Sequence, residues 1–358
     1  NTIPSEFSGK TVLIVDDRDE NVGIKSISKR SVNIKDLSID PTQSLASLIS
    51  DIDGVTFSSV GSNVELPVIH GLYGNRILIL NNYIKHGFQN WGKDHAPEIN
   101  VSSAEAITIL KGSSGVRFGP EGLGGAIIIE PNLIKLNNPF YLDLSSGFQT
   151  NGKGYNFNFK TGTGYKKFGY FLSADYIKIG DRHAPSYSLT NSGKEEKALN
   201  LGFHYHLNNF DIKLYYSYLD QKLALLRSSF FHSGDAISTA LSSDVPLFIR
   251  PFSYTINEPY QLANHHFAKA SIDWWYKENQ KISLTFGGQL NGRKEFDVRR
   301  NAEKPIIDLD LNTFDYLLEW NHSFSDDFDG LVGIHFFNQD NDNNVTETKS
   351  FLKDELLS

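Results

Sequence analysis

From residue 140 onward the chain alternates apolar and polar positions with a period of two. Phe140, Leu142, Leu144 and Phe148 stand against Tyr141, Asp143, Ser145 and Gly147, and Tyr155, Phe157 and Phe159 against Asn156, Asn158 and Lys160. Leu199, Leu201, Phe203 and Tyr205 likewise face away from Asn200, Gly202, His204 and His206, and the beat returns over 210–218, 268–274 and 314–320. Successive strand side chains point to opposite faces. About nine segments of roughly ten residues, apolar on one face and aromatic near their ends, therefore predict antiparallel transmembrane β-barrel strands. A soluble two-sheet sandwich also alternates, and the connections separate the two. From the second connection on, short turns (164–167, 208–209, 277–280, 325–329) take turns with long loops (180–197, 222–264, 291–308), and an acidic, Asn-rich run follows residue 339. A barrel has short turns at one end and long loops at the other; a sandwich has no reason to keep that order.

Before residue 132 the pattern is different. The stretch 67–129 is β-rich with Gly at most bends, suited to a backbone that turns sharply and approaches its surroundings closely. Residues 41–49 predict a short helix with Leu45, Leu48 and Ile49 on one face, ended by the Asp53-Gly54 turn. Residues 1–39 read as a flexible lead-in holding one apolar segment, Thr11, Val12, Leu13, Ile14 and Val15, ahead of a charged run. SGKT at 8–11 resembles the close of a phosphate-binding loop, but the first Gly of that motif would fall on Pro4. LIVDD at 13–17 resembles a receiver-domain strand, yet no strand and helix alternation follows. The remaining readings are an edge strand, or a segment that adds to another protein's sheet.

Composition narrows the function. The 358 residues suffice for two domains, and a net charge of −8 argues against nucleic acid as partner. Phe and Tyr number 25 and 16 although mean hydropathy is −0.33, as alternation requires. Cys is absent, which excludes disulfides and thiolate metal sites. No run approaches the roughly 18 apolar residues of a membrane-spanning helix. Ser113 and Ser114 lack the strand and helix of a nucleophile elbow, so no enzyme is predicted.

SLASLISDIDGV, IHGLYGNRILILNN and AITILKGSSGVRFGPEGLGGAIII together resemble the plug domain of TonB-dependent outer-membrane receptors. The family's marks fall on Asp53-Gly54-Val55, Ile69-His70-Gly71, Gly74-Asn75-Arg76, ITILKG (107–112) and GGAIII (124–129). His70 stands where the family usually has Arg, and Thr108 where it often has Glu. The resemblance implies a mainly β protein: lead-in (1–39), small mixed α/β plug (40–131), and the N-terminal part of a transmembrane barrel (132–358). The family barrel has about 22 strands, and about nine cannot close around a plug in lipid, so a longer receptor is expected.

The resemblance also implies the outer membrane of a Gram-negative bacterium as location, with the lead-in facing the periplasm. The implied partners are outer-membrane lipid, a transported solute, and TonB with its ExbB/ExbD energising complex. Residues 11–15 then resemble the TonB box. Arg76 and Lys111 are the candidates for a latch between plug and barrel, and His86 and Trp91 for substrate contact. Asp94 and His95, in WGKDHAPE at 91–98, resemble the metal-ligand pair of zinc-uptake members. Imidazole with carboxylate suits Zn²⁺ and borderline metals, and His183, His204, His206, His232 and His265 are the candidates for further ligands from the barrel or its loops. No resident cofactor is implied; zinc or an iron complex would be cargo. Alternatives are uptake of haem or an organic nutrient, where Trp91 would stack on the ligand, and a non-transporting surface β-protein.

Overall fold

The computed structural model describes residues 29–33, 43–87, 95–102, 104–131, 134, 136–230, 234–277, 280–298, 304–325 and 328–345. A small domain comes first. It runs β1 (Lys29–Asn33), α1 (Leu45–Leu48), β2 (Val55–Val60), β3 (Val64–Ile69), β4 (Leu78–Asn81), β5 (Ile84–Lys85), β6 (Ala104–Lys111) and β7 (Gly125–Pro131). Strands β1-β6-β7-β4-β5 form one sheet in that order, with β4 parallel to β7, and β2 and β3 form a separate hairpin. The central strands read as unbroken apolar runs because both faces are covered. Ile79, Ile107, Ile109, Ile127 and Ile129 pack with Leu45, Ile49, Val55 and Ile69. Leu78, Leu80, Leu110, Ala126 and Ile128 fill the other face.

Helix α1 is one turn long, and Ser44 caps it by accepting the Ser47 N–H at 3.0 Å. Residues 41–42, where the predicted helix began, lie outside the described residues. The glycine cluster works by close approach: a Cβ on Gly115 would stand 2.6 Å from the Gly122 carbonyl oxygen.

The second part is one nine-stranded antiparallel sheet in which each long strand pairs with the next. Its strands are β8 (Tyr141–Gln149), β9 (Gly154–Tyr165), β10 (Phe168–Ile179), β13 (Lys194–Leu207), β14 (Phe210–Ala224), β15 (Tyr260–Lys277), β16 (Gln280–Phe296), β17 (Ile307–Ser325) and β18 (Phe328–Asn343). The two-residue strands β11 (Arg182–His183) and β12 (Ser188–Leu189) pair within the β10–β13 loop, and α2 (Gly234–Leu241) lies in the β14–β15 loop. The fold class is as expected: mainly β, a small mixed domain, then antiparallel strands. No helix among the described residues is long and apolar enough to cross a membrane.

The sheet is polar inside and apolar outside. Leu142, Leu144, Phe157, Leu214, Leu284, Phe314, Tyr316, Leu318, Ile334 and Phe336 are exposed on the outer face. Asn156, Asp175, Glu196, Asn200, Gln221, Gln289, Arg293 and Asp315 are buried on the inner one. The small domain lies against that inner face. Its Ile84 is set among Phe171, Tyr215 and Phe267 of the wall, and a Cβ on Gly287 would come within 3.1 Å of Ile84.

The strand ends correct the loop boundaries read above. β16 continues to Phe296 through residues taken for loop, β14 and β15 shorten the 222–264 connection at both ends, and β18 reaches Asn343. These extensions pair in full register, as Glu295↔Ile307 and Asp310↔Asp342 show. In β16 and β18 the added residues, 291–295 and 339–343, hold no large apolar side chain on either face, so period two in hydrophobicity vanishes while the ladder continues.

Candidate functional site

The small domain meets the wall chiefly through one strand. On β16 every second side chain points inward, and four consecutive inward residues each take a partner across the interface. Gln289 binds two backbone groups at once, accepting the Gly87 N–H at 2.9 Å and donating to the Lys85 carbonyl at 2.7 Å. Asn291 Nδ2 donates to Glu98 Oε2 at 2.7 Å, and Arg293 Nε donates to Glu98 Oε1 at 2.7 Å. The guanidinium and carboxylate form an ion pair in which both side chains are 3% exposed. Glu295 closes the row on the imidazole of His95. Burial of Glu98 and Arg293 is tolerable because each has the other as a charged, hydrogen-bonded partner.

Three further contacts flank this row. Asn100 donates to Glu196 of β13 at 2.8 Å. Lys269 of β15 donates to the Asn82 carbonyl at 2.7 Å. At the end of the wall carrying the long loops, Asn63 of the β2–β3 turn donates to the carbonyls of Gly193 at 2.8 Å and Ala224 at 2.9 Å, and accepts from Arg182 at 2.8 Å. Between Asn100, Asn200, Tyr215 and His265 a cavity of about 20 Å³ remains, space for about one water.

His86 is buried in the same interface, its ring edge-on to His265 of β15 with centroids 4.6 Å apart. Burial holds its pKa well below the ordinary 6.5, and the neighbouring His265 and Arg293 lower it further. Between the lowered value and 6.5 the unfolded chain binds a proton that the folded one does not. Stability from this site is therefore complete above pH 6.5 and is lost as pH falls below it. The thermal midpoint should drop between about pH 7.5 and about pH 5.5, and His86→Phe should drop less over that interval.

The candidates from sequence fall apart in space. Residues 11–15, Trp91, Asp94 and His232 lie outside the described residues. His95 reaches Glu295, whereas His183 is exposed, its backbone paired to the Asn151 amide at 2.6 and 3.1 Å. Lys111 donates to the Asp53 carbonyl within the small domain, and Arg76 is exposed with its carbonyl accepting from Gly124 at 2.8 Å. His204 and His206 both contact Asp211, at 2.8 and 3.1 Å. Among the described residues no three His or carboxylate groups converge as a metal would need. Asn63, Gln289, Asn291 and Arg293 were not singled out in the sequence; only the inward parity of β16 marks the last three.

At the loop end, a cavity of about 340 Å³ opens between Tyr187, Ser228, Ile237, Leu241, Val245 and Leu247. Beside it the Arg227 guanidinium lies 3.9 Å from the centre of the Phe248 ring.

Residues 25–126 match the family model "TonB-dependent Receptor Plug Domain". Solved structures match nearly the whole chain. The ferric-catecholate import receptor Fiu from E. coli K12 is 12% identical over 90% of this chain and 50% of its own, with a TM-score of 0.68. The siderophore receptor PirA from Acinetobacter baumannii is 14% identical over 89% and 49%, with a TM-score of 0.66. The copper transporter OprC is 15% identical over 88% and 55%, with a TM-score of 0.56. At such identities the likeness is one of fold, and the chain spans about half the length of these structures. Residues 25–126 are thus a plug domain by family model, seated on the polar inner face of an outwardly apolar meander that has the fold of part of a TonB-dependent receptor's barrel.

Proposed function

We propose that the chain is part of an outer-membrane receptor that takes up a scarce metal ion or metal chelate, driven from the inner membrane. The observation that carries this reading is the polar interface between plug and wall, which a plug rearrangement would have to release to open a path for a solute. Residues 11–15 are the segment on which TonB, energised by ExbB/ExbD, would add a strand and pull. Fiu is a ferric-catecholate import receptor, PirA a siderophore receptor and OprC a copper transporter, which supports a metal or its chelate as cargo. Asp94 and His95 are proposed ligands at the outer side of the plug, with His86, Trp91 and His183 as further solute contacts. Arg76 and Lys111 keep the latch role that the resemblance implies, toward wall residues outside this chain.

The test is accumulation of zinc and of ferric chelates in metal-starved cells. Uptake is expected to require the receptor and to stop when the inner-membrane potential is collapsed; accumulation indifferent to both would sink the reading. For the ligands, calorimetry with Zn²⁺ should show weaker binding by the Asp94→Ala/His95→Ala receptor, and equal affinity would remove these residues from the site.

The loop cavity favours a second reading. Its apolar lining suits an organic body more than a bare ion, so an organic nutrient, haem, or the organic part of a chelate would bind there first.

A further inference from the structure

A line of side-chain hydrogen bonds crosses the plug sheet from its edge strand to Tyr83, in the turn whose other residue, Asn82, is bonded to the wall. Ser31 of β1 and Thr108 of β6 share a hydrogen bond of 2.7 Å between their hydroxyls. Thr108 Oγ1 lies 3.3 Å from Glu130 Oε1 of β7, and the Tyr83 hydroxyl donates to that same oxygen at 2.8 Å. Thr108 thus occupies a position where a family Glu would put its own carboxylate, and here the carboxylate comes from the neighbouring strand.

Tyr83 and Asn82 form the turn between β4 and β5, and both are left-handed, with φ of 65° and 50°. Such a turn is costly for residues with a Cβ and holds only where its surroundings fix it. Two anchors fix this one. Glu130 holds the Tyr83 hydroxyl from the sheet side. Lys269 holds Asn82 from the wall, donating to its carbonyl at 2.7 Å and its side-chain oxygen at 3.2 Å. Lys269 also stands 5.8 Å from the centre of the Tyr83 ring. The far end of the line is the mobile partner in the proposed mechanism. Among the described residues β1 pairs only with β6, through five residue pairs from Lys29↔Leu110 to Asn33↔Ala106, and it lies within the stretch 1–39 read as lead-in, which is therefore tied to the plug sheet at this strand.

We propose that Ser31, Thr108, Glu130 and Tyr83 couple β1 to the wall contact at Lys269, so that withdrawing β1 loosens the plug there. They are positioning residues: none meets the solute, and each acts by fixing the next. The functional meaning rests on the pulling of the lead-in proposed above, but the coupling itself is a property of the folded receptor.

The experiment uses the full receptor, with any cysteine outside these 358 residues replaced by serine, in lipid vesicles. A reporter Ser271→Cys sits on β15 two residues from Lys269, and its rate of reaction with a maleimide reads local opening. Val32→Pro places proline, whose fixed φ and missing N–H disfavour a regular ladder, opposite Ile107 in the five-residue β1, and is the change chosen to detach it. This change and Thr108→Val are each expected to raise labelling about fivefold, the scale of one lost hydrogen bond. Combined, they should give no more than either alone, the non-additivity of residues on one line. Thr108→Ser, which keeps the hydroxyl, should label as the parent does. The proposal is overturned if Val32→Pro leaves labelling unchanged, if the two effects multiply, or if Thr108→Ser behaves as Thr108→Val. Uptake that ignores residues 11–15 would instead remove the pulling reading and leave the labelling result standing.

Discussion

Arg293→Ala is expected to weaken the seating of the plug by about 3–5 kcal/mol, the cost of stranding one member of a buried ion pair. The Glu98 carboxylate, now held from two sides, would keep only the Asn291 amide on Oε2. Glu98→Ala should cost about as much from the other side, because the guanidinium is then left without its anion in a closed space. The double variant Glu98→Leu/Arg293→Met should cost far less than either single change, since apolar side chains of similar size often replace a buried pair without loss. Calorimetric unfolding of the receptor and its three variants measures this. A double variant no better than the singles would mean that the pair contributes through its own attraction rather than through mutual relief of desolvation. A small effect of both singles would mean that the plug is held mainly by apolar contacts such as Ile84 among the wall aromatics.

How far the sequence reveals this architecture depends on where polarity and geometry agree. Across the apolar belt they do: Phe314, Tyr316, Leu318 and Trp320 alternate with Thr313, Asp315, Leu317 and Glu319, and each side faces as its parity implies. Above the belt both faces of a strand are wet or polar, so Lys294, Glu295, Asp308 and Asp310 look like loop although the ladder runs through them. The plug core is legible for the opposite reason. GAIIIEP has apolar residues on both faces because it is buried on both. The interface itself is barely legible. Gln289 bonding the backbone at Lys85 and Gly87, some two hundred residues away, leaves no local mark, and neither does the pairing of Glu98 with Arg293. The loop around His95 could be picked out because imidazole, indole and carboxylates lie together in the chain. That His95 meets Glu295 is set by the register of a strand met only in three dimensions.

Deleting residues 11–15 is expected to reduce accumulation to the level of cells lacking the receptor while solute binding at the cell surface persists. The separation of the two readouts follows from the construction. The loop cavity and the Asn63 contacts lie at the far end of the plug from the pairing of β1 with β6, and none of the described plug–wall bonds involves residues before Asn63. Binding therefore needs the plug seated but not pulled. In the proposed mechanism opening needs the reverse: a row of polar contacts from Gln289 to Glu295 would have to release together, and each retained bond would hold the plug in place. A strand added to residues 11–15 gives a pulling partner a grip made of backbone hydrogen bonds, strong in register and indifferent to side-chain detail. Replacing one of Val12, Leu13 or Ile14 by another β-branched or apolar residue should accordingly leave accumulation near normal. Proline at the same position, which removes a ladder donor, should abolish it. Accumulation that tolerates proline but not the conservative changes would point to recognition by side chains and away from strand addition.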